Sequence, residues 1–228
     1  MPEITNVCAG PFGVFYDVYI ERPWLAQLIG RAAWGADIAP LYRSMAAIPA
    51  LPDGATVLDV PCGGGVALRA LRPGQQVRWI AVDIEPKMLA RCERRGHDRG
   101  LRDGALELLE ADMRALPLPD ATADLCLAYS GLHMVTEPAT AVAELARCLK
   151  PGGELVGSTF LAEGSWRQRT LLGHGGDTGV NGTLCTSAEL RGWFADAGFE
   201  DVTISPERGF AIFRGRRVDS ASARSSQG

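Results

Sequence analysis

The sequence predicts an α/β fold: a mostly parallel sheet with helices on both faces, a helical cap before it and an antiparallel pair at its end. Three observations predict it. Short, near-continuous apolar runs rich in β-branched residues recur between residues 55 and 160. Helical patterns separate them, as expected for strands covered on both faces. The pattern begins at the turn signal Pro52-Asp53-Gly54, before which the chain reads as helices. The last two apolar runs, 202–205 and 210–213, are joined by a turn too short for a crossover, so they pair antiparallel.

The elements follow in order. In the cap, residues 1–51, Pro23 opens a helix carrying Trp24, Leu25, Leu28, Ile29, Ala32 and Ala33 on one face until Gly35. That spacing assigns Trp24 and Trp34 to packing. Asp37 caps a second helix bearing Ile38, Leu41, Tyr42 and Met45, which Pro49 ends. An aromatic stretch, Phe12, Phe15, Tyr16 and Tyr19, precedes both. In the core, residues 52–216, the runs 55–60, 78–82, 106–109, 125–129 and 155–160 read as parallel strands. The helix around Met88 starts at Pro86 and stops at Gly96, and the helix 139–149 stops at Lys150-Pro151-Gly152-Gly153. Thr186-Ser187-Ala188-Glu189 has the form of a capping box opening a helix to Gly198. The tail, 217–228, is poor in apolar residues and is expected to be disordered.

Composition narrows the function. The chain has 228 residues, a net charge of −4 and 46% hydrophobic residues, which suits one globular domain. No stretch approaches the ~20 apolar residues of a membrane span. The N-terminus lacks the pattern of a signal peptide, and the six cysteines show no C-x-x-C pairing, so a cytoplasmic chain without metal is expected. Mild acidity argues against nucleic-acid binding through bulk charge.

In an open α/β sheet ligands bind at the carboxyl ends of the strands, so the residues following each run carry the chemistry. The first run leads into Val57-Leu58-Asp59-Val60-Pro61-Cys62-Gly63-Gly64-Gly65. Gly63 and Gly65 match two glycines of the dinucleotide fingerprint, but its third position is Leu68. Asp59 before the loop would repel a pyrophosphate and attract a ligand ammonium. A dehydrogenase is therefore disfavoured. Asp83 ends the second run, roughly twenty residues past the glycines, where an acid grips ribose hydroxyls. Asp112 follows the third run and can accept from an adenine amine, with Ile84 and Met113 flanking the ring.

With these residues in place the sequence resembles class I S-adenosylmethionine-dependent methyltransferases, in particular the type 11 small-molecule group that includes enzymes of ubiquinone and menaquinone biosynthesis. Four blocks carry the resemblance: VLDVPCGGG at 57–65, VDIEPKML at 82–89, LEADMRALPLPDATADL at 109–125 and ELARCLKPGGEL at 144–155. It covers about residues 52 to 160, and more loosely to about 214. It implies a Rossmann-like seven-stranded sheet with the last strand antiparallel, and S-adenosyl-L-methionine as cofactor with S-adenosyl-L-homocysteine as product. Asp59, Pro61, Cys62, Gly63 and Gly65 would surround the methionine part. Asp83 would bind the ribose, and Ile84, Met88, Asp112 and Met113 the adenosine, while Ser130 and His133 would lie near the sulfonium. Pro61 departs from the family's usual Gly and removes one backbone N–H from that set.

His133, after the fourth run, is the first candidate for a general base, because its ordinary pKa of about 6.5 suits proton transfer. Tyr16 could close over the site from the cap, and His174 sits in a Gly-rich stretch. The Asn/Asp-Pro-Pro-aromatic segment of amino-group methylases of nucleobases is absent at Tyr129-Ser130-Gly131-Leu132. Cys62 and Cys126 do not fit as cytosine-C5 nucleophiles. The expectation is O- or C-methylation of a small hydrophobic acceptor under the aromatic cap. Two alternatives are a nucleic-acid methyltransferase using Arg208, Arg214, Arg216, Arg217 and Arg224, and a donor-binding protein without catalysis.

Overall fold

The parallel strands form where the apolar runs predict them. The computed structural model describes residue 20 and residues 22–34, 37–102, 104–164 and 184–218. The strands are β1 (Thr56–Asp59), β2 (Arg78–Asp83), β3 (Leu106–Glu110), β4 (Ala123–Tyr129), β5 (Leu149–Phe160), β6 (Phe199–Glu207) and β7 (Phe210–Arg217). They make one sheet of order β3-β2-β1-β4-β5-β7-β6. β1 to β5 are mutually parallel, and β7 pairs antiparallel with both β5 and β6. The strand order reverses beside β1, so a crevice opens at the carboxyl ends of β1 and β4.

Alternation along the strands divides the core. Leu58, Ile80, Cys126 and Leu155 face α5 (Pro138–Cys148) and α6 (Ser187–Asp196). On the other face Val57, Trp79, Leu127 and Val156 meet α4 (Pro86–Asp98) and the N-terminal helices. Those helices are α1 (Pro23–Ile29), which continues as a wider turn through Gly30–Trp34, α2 (Ala39–Ser44) and α3 (Ala47–Ala50). Ile38, Leu41, Met45 and Ile48 are buried against the sheet, so packing runs without a break across the expected boundary at residue 51.

Several local expectations are corrected. Trp24 does not pack: it is 67% exposed, and Leu28 one turn later is 59% exposed. Asp37 does not cap α2: its N-cap is Ile38, which makes no side-chain cap bond, and Asp37 Oδ1 accepts from Ala39 N at 2.8 Å in the turn before the helix. The chain then breaks at Met45 and resumes as α3, with Pro49 inside it. Gly96 does not stop α4. It is buried within the helix because a Cβ there would lie 2.7 Å from Leu106 Cδ2, and Gly100 at φ +78° turns the chain after it. Between β1 and β2 there is only a 3-10 turn, Val66–Ala70, entered through Gly65 at φ +79°. Two residues of the expected tail are ordered: Arg217 ends β7 and donates to the carbonyls of Arg147 and Leu149, and Val218 N donates to Gly198 O at 3.0 Å, while the rest of that tail, 219–228, lies outside the described residues. The capping box of α6 forms as read, with Thr186 Oγ1 accepting from Glu189 N at 3.1 Å and Glu189 Oε2 from Thr186 N at 2.8 Å. Among the described residues no helix is long and apolar enough to cross a membrane.

Candidate functional site

The three aspartates stand at the carboxyl ends of three adjacent strands. Asp59 ends β1, Asp83 ends β2 and Asp112 lies just past β3. Their environments differ.

Asp59 is buried, and its Oδ2 has no hydrogen-bond partner. Trp79 lies on the same face of the sheet, and its Nε1 also lacks a partner. The indole favours the carboxylate slightly without reaching hydrogen-bond geometry. Burial, and then the charge of Asp83, push the Asp59 pKa up to about 8. Asp83 Oδ2 accepts from Gly63 N at 2.9 Å, and its Oδ1 from Glu85 N at 3.0 Å. Burial raises the Asp83 pKa against those two N–H groups, which lower it. Asp83 therefore shapes the glycine loop as well as facing the crevice. Asp112 is half-buried and ion-paired, with Arg114 Nη2 2.6 Å from its Oδ2 and Arg114 Nε 3.0 Å from both oxygens. Arg114 holds the Asp112 carboxyl below the usual carboxylate range.

The loop after β1 is held from several sides. Cys62 N donates to Val82 O at 2.8 Å, and Arg95 of α4 donates to Gly64 O. A Cβ on Gly65 would lie 2.9 Å from Cys92 Sγ, so α4 packs where a side chain would stand. The Cys92 thiol and burial hold the Cys62 thiol well above its usual range, so it stays protonated. The Pro61 ring lies against Gly131, with its Cγ 2.8 Å from where a Cβ of residue 131 would be, and Met113 Sδ is 3.6 Å from the same point. Pro61, Gly131 and Met113 thus meet over the ends of β1, β3 and β4. Met88 is buried in the first turn of α4, and Ile84 is 41% exposed at the mouth.

After β4, Ser130 adopts φ +56°, a left-handed conformation that costs a non-glycine residue about 1 kcal/mol. Ser130 N donates to Ser158 O at 2.9 Å. His133 follows in the 3-10 turn Leu132–Met134 and is buried. Its Nδ1 lies 3.5 Å from Phe160 N and 3.4 Å from Thr159 Oγ1, and the Phe160 ring meets it edge-on at 5.0 Å. The Phe160 N–H can only donate, so Nδ1 accepts and Nε2 carries the ring proton. Burial lowers the His133 pKa to about 4. The ring is neutral at pH 7 and presents a donor.

The structure therefore brings together Asp59, Pro61, Cys62, Gly63, Gly65, Asp83, Ile84, Met88, Asp112, Met113, Ser130 and His133 at one end of the sheet. Tyr16 and His174 lie outside the described residues. Sequence reasoning missed Arg95, Arg114 and the Thr159-Phe160 pair. Only Arg114 left a signal, as the basic member of Asp112-Met113-Arg114. Of the arginines considered for phosphate contact, Arg214 pairs with Glu154 at 2.5 Å, and Arg216 with Glu200 at 2.8 Å and Asp201 at 3.0 Å.

Comparison with known proteins shows the family and the fold. A family model described as a methyltransferase domain matches residues 58–157. The chain is 31% identical over 153 residues to a phosphatidylethanolamine N-methyltransferase of Cereibacter sphaeroides, covering 67% of this chain and 70% of the relative. It is 37% identical over 103 residues to a demethylmenaquinone methyltransferase of Thermus thermophilus, covering 44% of each. The chain spans less than half the length of other relatives it matches, 32% of one and 46% of another. A solved structure of geranyl diphosphate methyltransferase in complex with S-adenosylmethionine superposes with a TM-score of 0.66 at 16% identity, over 80% of this chain and 86% of that one. That last likeness is one of fold.

Proposed function

Because the chain belongs to the class I S-adenosylmethionine-dependent methyltransferases, we propose that it methylates an oxygen or carbon atom of a small hydrophobic acceptor, with the helical segment before residue 52 as a fixed cap packed on the sheet. The observation that carries the reading is the row of three aspartates, and within it the buried, partnerless Asp59 Oδ2. A carboxyl oxygen in that position fits a cationic ammonium. Asp59 and the Gly63–Gly65 backbone would hold the methionine part of the cofactor, Asp83 the ribose, and Asp112, Met113 and Ile84 the adenine. Asp112 would do so with Arg114 fixing its orientation.

The cofactor supplies a methyl group on an already activated sulfonium. What remains for the protein is alignment and exclusion of water. Pro61, Gly131 and Met113 make an apolar floor, and neutral His133 adds a donor without adding charge. With Nδ1 engaged and its pKa near 4, His133 is suited to positioning more than to proton abstraction. The reading thus favours an acceptor that reaches the site already ionised or otherwise nucleophilic. The names of the two relatives, of phosphatidylethanolamine and demethylmenaquinone, refer to lipid-soluble acceptors of those proteins, which supports a hydrophobic acceptor here. The ion pairs of Arg214 and Arg216 weigh against phosphate contacts by the C-terminal strands. A cytoplasmic location belongs to the same reading.

Calorimetric titration with S-adenosylmethionine, S-adenosylhomocysteine and NAD tests the cofactor assignment. Binding of the first two and none of NAD is expected. Asp83→Ala should weaken both by about a hundredfold, because charge-assisted hydrogen bonds contribute about 1.5–3 kcal/mol each and the glycine loop also loses its Gly63 anchor. Undiminished affinity in a folded Asp83→Ala variant would remove the ribose assignment.

A further inference from the structure

The face of the molecule opposite α5 and α6 carries two features that the cofactor site does not use. The first is charge. Residues 86–102 hold six Lys and Arg against Glu93 and Asp98, in a chain whose net charge is −4. Lys87, Arg94, Arg99 and Arg102 are exposed and form no ion pair among the described residues. Lys87, Arg91 and Arg94 recur at i, i+4 and i+7 along one flank of α4. The second is apolar. Trp24 and Leu28, one turn apart on α1, are 67% and 59% exposed. They lie between Arg22 and Arg31, and residues 22–34 contain no Asp or Glu.

Contacts join the two features into one layer. Arg99, the C-cap of α4, donates to Arg69 O at 3.3 Å, and the Arg69 guanidinium lies 4.8 Å over the Tyr42 ring of α2. α1 is fastened to the start of α2 by Gln27, whose Nε2 donates to Asp37 Oδ1 at 2.6 Å and whose Oε1 accepts from Ile38 N at 3.2 Å. The C-terminal end of α4, through Arg99, therefore adjoins the turn and helix that carry α1.

We propose that this layer docks on an anionic phospholipid surface, with Trp24 and Leu28 entering the headgroup boundary and the α4 basic residues, with Arg22 and Arg31, facing lipid phosphates. Basic residues supply long-range attraction, and an exposed Trp–Leu pair flanked by arginines is the composition of an interfacial helix. A nucleic acid would use the charge but leave the Trp–Leu pair without a role. The proposal extends the hydrophobic-acceptor reading, since such an acceptor dissolves in the bilayer. It fails separately from that reading, because vesicle binding needs neither acceptor nor turnover.

The test is flotation of the full chain with phosphatidylcholine vesicles with and without phosphatidylglycerol, in low and high salt. Binding to the anionic vesicles alone, weakened by salt, is expected. The pair Arg94→Glu and Arg99→Glu should lower partition by about tenfold or more. The pair Trp24→Ser and Leu28→Ser should lower it comparably while leaving S-adenosylhomocysteine affinity unchanged, which confirms the fold and the cofactor site. Three results would overturn the proposal: no vesicle binding, binding indifferent to the Trp24 and Leu28 substitutions, or salt-sensitive binding of short duplex DNA through Arg94 and Arg99 without vesicle binding.

Discussion

At the scale of single residues, Asp59 makes the sharpest predictions. Its carboxyl keeps a proton up to about pH 8 in the cofactor-free fold, whereas an unfolded Asp loses it near the ordinary value of 3.8. The unfolded state therefore binds fewer protons across that window, and stability falls as pH rises through it. Asp59→Asn should flatten this dependence and raise Tm at pH 8 by several degrees, since about 1 kcal/mol corresponds to roughly 2–4 °C at this chain length. Thermal scans of both proteins at steps of pH would show it. A ligand ammonium placed beside Asp59 should expel the proton, so calorimetric enthalpies of cofactor binding at neutral pH should differ between phosphate and Tris buffers. Equal enthalpies in the two buffers would remove Asp59 from the ammonium site. His133 gives a second contrast. His133→Gln keeps a neutral side chain with a donor and should retain turnover within about tenfold, whereas His133→Ala should lose more. A true base would make both variants equally poor and would remove from both the rising limb that the parent protein shows in its pH–rate profile. Asp59, Asp83 and Asp112 were legible in the sequence because each directly follows an apolar run. The Phe160 N–H that sets the tautomer of His133 was not, because only the pairing of β4 with β5 brings it there.

At the scale of elements, the glycine loop and α4 act together. Arg95 reaches across to Gly64 O, and Cys92 packs against Gly65. Arg95→Ala should raise the dissociation constant of S-adenosylhomocysteine by about tenfold, the value of a lost charge-assisted hydrogen bond, with a smaller change in kcat. Arg95→Lys should recover part of that loss, which general unfolding would not allow. An unchanged constant in the alanine variant would mean that the loop holds itself. The sequence showed α4 and its Pro86 start clearly, but placed its end at Gly96. Intrinsic propensity argues for that stop, and the tight contact with Leu106 prevails over it. The connection between β1 and β2 was similarly overread. Val66–Ala70 has helical composition, yet it closes only as a 3-10 turn after Gly65.

At the scale of the whole molecule, the N-terminal helices belong to the core as much as to the mouth of the site. Met45 and Ile48 are almost wholly buried in the same cluster as Trp79 and Leu127. Ile48→Ala should destabilise the protein by about 2–5 kcal/mol in denaturant titrations, the usual cost of such a cavity. A lid that opened as a separate unit would show less than about 1 kcal/mol. Ser44 Oγ lies 3.1 Å from the Tyr129 hydroxyl at the end of β4, so the cap also meets the site side of the sheet. The parallel core was legible because burial on both faces writes strands as plain apolar runs. The attitude of α1 was not. A helical stripe of Trp24, Leu25, Leu28 and Ile29 looks the same in sequence whether it covers a core or faces outward.

The order of the last two strands bears on how the chain is made. β6 leaves the ribosome before β7, yet among the described residues it pairs only with β7, which inserts between it and β5. Until β7 emerges, the nascent sheet ends at β5 with an open row of N–H and C=O groups, the kind of edge on which chains aggregate. Slowed translation or truncation before Phe210 would prolong that exposure, so the yield of soluble protein should depend on how promptly the final hairpin is delivered.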